Sequence, residues 1–212
     1  MRTDDLIRVL ASDQQGSSRS TAGWMALCMA IGFVVSAVLF WWTLGPRDDI
    51  AAAAATPRFV LKLVEMLLLA GAATILALRL ARPAAPARGA ALAVLGAAIL
   101  LLLAAAVELL LVPSAQWSAK LIGNNSRVCL TAIPLLSLPL LTFALYALRH
   151  GAPTRPGLAG AAAGILAAAA AATLYALHCA DDSPLFVATW YGLAIAGVTL
   201  LGWAVGRRVL RW

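Results

Sequence analysis

The apolar positions of this chain fall into six runs of roughly twenty residues, parted by short gaps rich in charge, proline and glycine. A bilayer's hydrocarbon core is about 30 Å thick, so a spanning helix needs about 20 consecutive apolar residues. The runs predict helices over residues 23–44, 58–80, 90–112, 127–148, 157–177 and 184–205. Backbone groups in lipid must be satisfied within the segment, and the period-2 alternation of barrel strands is absent, so these runs are read as helices. A cleaved signal peptide is the rival for the first run, with Arg2, Arg8 and Arg19 before it and Ala51 to Ala55 as a cleavage site. Signal cores are about 7 to 15 residues long. The stretch from Gly23 to Leu44 exceeds that and carries the interfacial pair Trp41 and Trp42.

Composition agrees with that pattern. Of 212 residues, 63% are hydrophobic and 12% charged, and the mean hydropathy is +0.91, beyond what a soluble domain needs. The net charge of +7 is spread loop by loop rather than gathered into a nucleic-acid-binding patch, and no direct nucleic-acid binding is expected. Eleven cations (Arg2, Arg8, Arg19, Arg79, Arg82, Arg88, Arg149, Arg155, Arg207, Arg208, Arg211) fall on one side. Five fall on the other: Arg47, Arg58, Lys62, Lys120 and Arg127. The positive-inside rule then places both termini in the cytoplasm. The expected fold is an all-α integral membrane protein, a bundle of six transmembrane helices with a short cytoplasmic N-terminal helix. Its parts are residues 1–21, a cytoplasmic docking segment; 22–206, the transmembrane domain; and 207–212, a cytoplasmic tail. The lipid bilayer is one partner, and no oligomeric state is signalled.

The loops are too short for an extramembrane domain, so candidate chemistry is confined to a few places. In the N-terminal segment Thr3 can cap a helix with Asp4 and Asp5 in its first turn. Leu6, Ile7, Val9 and Leu10 give that helix an apolar surface, and residues 14–20 read as a tether. This is a docking element for a soluble partner's groove or for a membrane surface, and the two acids disfavour the latter where it is anionic. Within the spans, Lys62 and Glu65 stand at i and i+3, a spacing that permits an ion pair, and Glu108 lies near the outer end of the third helix. No acid occupies the central thirds, as a proton or ion relay would require.

Cys129 and Cys179 are both expected at the outer face, with His178, Asp181 and Asp182 beside the second. Thiolate and imidazole ligate soft metal ions, and two thiols in an oxidising compartment can form a disulfide; two unrelated buried cysteines are the plain alternative. Cys28 reads as packing. Pro134 and Pro139 interrupt the fourth span, and Gly160/Gly164 and Gly202/Gly206 have the G-x-x-x-G spacing of close helix contact. Asn124-Asn125-Ser126 matches a glycosylation sequon too short to carry weight. A small transporter or channel is the alternative from another class, but no internal repeat or broken midplane segment supports it. His178, Cys179, Asp181 and Asp182 are the one cluster an enzyme would use. They lack a group orienting base toward nucleophile, so no catalytic residue is assigned.

The stretch Ala176 to Tyr191, ALHCADDSPLFVATWY, together with the opening MRTDDLIRVL, the RVCL…LLSLPL segment from Arg127 and the terminal RW, resembles the NrsF family of negative regulators of sigma factor F. The likeness runs nearly end to end, and His178 to Phe186 is its most specific part. It implies a bacterial inner-membrane anti-sigma factor that sequesters an extracytoplasmic-function sigma factor. Residues 3–13, with Thr3, Asp4, Asp5, Leu6, Ile7, Val9 and Leu10, would touch that partner. Cys129 and Cys179, with His178 beside them, would sense oxidative or heavy-metal stress. No cofactor is obligatory; a heavy-metal ion held by Cys129 and Cys179 is a candidate signal. Arg8 and Cys28 depart from the family pattern.

Overall fold

The computed structural model describes residues 21–83 and 85–211. The residues expected to dock a partner, Thr3 to Leu10, lie outside the described residues. Among the described residues every regular element is helical: α1 (Thr21–Thr43), α2 (Ile50–Ala54), α3 (Pro57–Leu80), α4 (Arg88–Leu111), α5 (Trp117–Ile122), α6 (Ser126–Leu148), α7 (Pro156–Ala176) and α8 (Pro184–Val209). Six of them, α1, α3, α4, α6, α7 and α8, are long and apolar enough to cross a membrane, which makes this a multi-pass membrane protein.

The six expected spans therefore stand, with ends shifted by four residues or fewer. The largest shift is at α8, which runs on to Val209. Arg207 and Arg208 occupy its last turn, where cations suit the negative end of the helix dipole. The short helices α2 and α5 sit in the two longest loops, where no apolar run is long enough to span a membrane.

α7 is the axis of the bundle and packs against α3, α6 and α8, while α4 stands at the edge beside α3. Small residues make this possible. Ala159, Ala163, Ala167 and Ala171 are fully buried on α7, and the two glycine pairs face each other. A Cβ added to Gly160 would stand 2.2 Å from the Gly202 carbonyl, and one added to Gly206 2.7 Å from the Gly160 Cα. Helices in lipid gain little from apolar burial as such, so close backbone approach through small residues supplies the packing. Outward faces carry the large side chains, including Leu92, Leu102, Leu110 and Leu200, all exposed, as a lipid-facing surface requires.

α1 leans on α6 at Gly32, whose Cβ would stand 3.2 Å from the Leu140 Cα. There the Ser36 hydroxyl donates to the Leu136 carbonyl at 2.8 Å. At one end of the bundle, Trp24 Nε1 donates to His150 Nδ1 at 3.1 Å, the Ala152 N–H donates to the Ala81 carbonyl at 2.9 Å, and Gly157 abuts Trp203 and Arg207. The start of α1, the α3–α4 and α6–α7 connections and the end of α8 thus share this terminal end. The opposite end carries the 177–185 loop.

Candidate functional site

The 177–185 loop, which links α7 to α8, is tied to two other spans and to two loops, and each acid within reach has a separate task. Asp181 accepts from the backbone N–H groups of Asn124 and Asn125 at 3.0 and 2.8 Å and from Asn125 Nδ2 at 3.1 Å. It thereby fastens the turn between α5 and α6. Asp182 pairs with Arg47 at 2.8 Å and with Lys62. Lys62 Nζ also donates to the Cys179 carbonyl at 2.9 Å, and the Arg47 N–H to the Leu177 carbonyl at 2.9 Å. Glu108 on α4 accepts from the Ser183 hydroxyl and from the Leu185 N–H at 3.0 Å. It faces Arg58 and Lys120 at 3.4 and 3.6 Å. We call this assembly the clasp.

The ion pairs of the clasp are of unequal weight. Lys62 is almost wholly buried, with its side chain 1% exposed against 16% for Asp182, so this pair is shielded from competing water. Arg47–Asp49 lies at the rim, with Asp49 59% exposed. The Arg47 guanidinium, hydrogen-bonded to it, holds the Asp49 carboxyl below the usual carboxylate range, partial desolvation opposing. Phe59 lies beneath both cations, 5.4 Å from Lys62 Nζ and 5.9 Å from the Arg47 guanidinium carbon.

Gly123 and Phe186 lock the other side. Gly123 has φ of +55°, the left-handed region, and a Cβ there would come within 2.7 Å of the Phe186 ring and 2.8 Å of Asp181 Cγ. Trp190 Nε1 donates to the Leu121 carbonyl at 2.6 Å. The backbone of α8 widens into a π turn over Val187–Tyr191, a local feature often found at functional sites.

Beneath the clasp lie the two cysteines. Cys129 and Cys179 are fully buried and unbridged, and they stand within electrostatic reach of each other and of the Tyr175 and Tyr191 phenols. The two phenol rings are 5.7 Å apart. Burial pushes the Cys179 thiol above its ordinary pKa, against the opposing pull of the Lys62 ammonium. A buried, protonated thiol is a poor nucleophile and a poor ligand. His178 turns away, its Nδ1 2.9 Å from the Gly45 carbonyl, which requires the proton on that nitrogen. Among the described residues no group of three or more His, Cys, Asp and Glu is arranged to hold a metal ion. Cys28 is buried in the core on α1.

The sequence expected Cys129, Cys179 and His178 at one end, and in the structure both thiols are buried at the clasp end, unbridged. It missed the clasp partners. The i, i+3 pairing of Lys62 with Glu65 does not form, because Lys62 is engaged by Asp182 and by the Cys179 carbonyl. Glu65 is left buried, with Oε1 unpartnered. Glu108, Arg47 and Asp182 offered one usable signal: charges of opposite sign at one end of several spans.

The arrangement defines a multi-pass helical membrane protein with a charged clasp closed over two thiols. A family model described as NrsF, negative regulator of sigma F, matches residues 10–212. The anti-sigma-F factor NrsF of Caulobacter vibrioides is 38% identical over 216 residues, spanning all of both chains. The probable anti-sigma-F factor NrsF of Azospira oryzae is 34% identical over 214 residues, again across both whole chains. No solved structure matches. The chain belongs to the NrsF family.

Proposed function

We propose that this protein is a membrane anti-sigma factor that holds an extracytoplasmic-function sigma factor at the bacterial inner membrane through residues 1–21. The observation that carries this reading is the end-to-end likeness, N-terminal segment included, to proteins named anti-sigma-F factors. The shared terminal end of α1 and α8 agrees with two cytoplasmic termini, and the eleven-to-five distribution of Lys and Arg supplies the direction. Thr3, Asp4 and Asp5 start the docking helix, and Leu6, Ile7, Val9 and Leu10 meet the sigma factor's groove.

The signal acts at Cys129 and Cys179. In support, the thiols lie at the same end of the bundle, buried and unbridged, where a clasp ties five segments together. Because they are buried, an oxidant or a heavy-metal ion reaches them only as the clasp opens. A thiol–thiol bond or a bridging metal would then hold the opened arrangement. Affinity purification of the full chain from its own membranes tests the reading: a small sigma factor should co-purify, and Leu6→Asp with Leu10→Asp should release it. Retention of the partner by that double variant would overturn the docking assignment. Replacing both Cys129 and Cys179 by Ser should abolish the stress response and leave sigma binding intact; loss of binding would reassign them to structure.

A further inference from the structure

Between α3, α4 and α8 the bundle leaves a groove of about 500 Å³ open to the bilayer, a size typical of small-molecule sites. Its walls are apolar, formed by Met66, Leu69, Leu101, Leu102, Ile195 and Leu200, with a single acid, Glu65. Glu65 is 3% exposed and its Oε1 has no hydrogen-bond partner. The two cations that precede it on α3 are committed elsewhere: Lys62 to Asp182, Arg58 to Glu108. A carboxyl group in hydrocarbon without a partner is a functional signal by default.

The groove also has direction. Glu65 lies eight residues into α3, about 12 Å below the clasp end at about 1.5 Å per residue. Leu200 lies sixteen residues into α8, about 24 Å from the same end. Glu65, the one ionisable group in its lining, stands toward one end of an apolar trough, and the Thr199 hydroxyl that also lines it is spent on the Ile195 carbonyl at 2.7 Å. We propose that the groove binds a lipophilic amine, its ammonium donating to Glu65 and its hydrocarbon body lying along α4 and α8 toward Leu200. Charge complementarity selects this class over a neutral acyl chain, which would leave Oε1 as bare as it is now.

The test titrates decylamine and decanol into full-length protein in phosphatidylcholine nanodiscs, with empty nanodiscs as the baseline, and needs no sigma factor. Decylamine should bind saturably at one equivalent. Glu65→Gln, which keeps the shape, should weaken it about ten-fold or more, as expected for loss of a charge-assisted bond. Gly192→Leu closes the trough from α8, where a Cβ meets nothing within 4 Å, and should abolish binding. That variant carries the test if Glu65→Gln does not reach the membrane. Equal binding of amine and alcohol, unchanged by Glu65→Gln, would mean the groove holds only acyl chains and would overturn the proposal. No saturable binding would overturn it too, as would preference for a neutral ketone such as 2-undecanone, which makes Glu65 a donor.

Discussion

Lys62 and Asp182 show how much rests on one buried pair. The ammonium has two partners, the Asp182 carboxylate and the Cys179 carbonyl. Removing the carboxylate leaves a charge stranded among apolar groups, and breaking such a pair costs about 3–5 kcal/mol. Asp182→Asn should therefore lower the thermal unfolding midpoint in detergent by several degrees. Adding Lys62→Met should recover part of the loss, because the stranded charge is then gone. A midpoint unmoved by Asp182→Asn would show that the pair is inert. The same substitution has a chemical consequence at Cys179. Its thiol is buried and raised in pKa, so maleimide labelling at pH 8 should be slow in the native protein. Asp182→Asn should speed labelling by opening the roof, and equal rates would separate the clasp from thiol access.

At the scale of elements, tight spots are set by glycine. Gly123 needs a left-handed backbone and an empty Cβ position beside Phe186 and Asp181. Gly123→Ala should cost more than the ~1 kcal/mol of the backbone term alone, visible as a lower unfolding midpoint. Gly160→Leu should be harsher, since the side chain would have to enter the Gly202 backbone and push α7 from α8. The six spans and the glycine pairing were legible because length, hydropathy and G-x-x-x-G spacing are local properties of the chain. The clasp was not, because Asp181, Asp182 and Glu108 find partners 56 to 135 residues away or on helices whose neighbours no periodicity reveals. The π turn at Val187–Tyr191 was equally silent: its residues read as ordinary apolar helix, and its widening accompanies close packing of Tyr191 on Tyr175 and Phe186. Lys62 illustrates the failure most plainly. A local acid at i+3 was the pairing that sequence offered, and a more distant acid in the clasp won.

For the whole molecule, the proposed mechanism requires an event at the clasp to be felt at the terminal end. α7 spans that distance, roughly 30 Å for 21 residues at about 1.5 Å each, and it touches α3, α6 and α8 along the way. A ligand or modification shifts a bundle between two packings only by its differential affinity for them. Coupling between two binding sites is reciprocal: if opening the clasp weakens sigma-factor binding by some factor, the bound sigma factor must close the clasp by the same factor. Bound sigma factor should therefore slow maleimide labelling of Cys179 in the full-length protein. Arsenite or another dithiol-binding reagent, held at Cys129 and Cys179, should weaken sigma-factor binding to a matching degree. In the protein lacking residues 1–20 the sigma factor should leave labelling unchanged, because the proposed docking segment is gone while the clasp remains. A labelling rate indifferent to sigma factor, in a protein that still releases it on arsenite treatment, would break the reciprocity and move the sensing step off these two thiols.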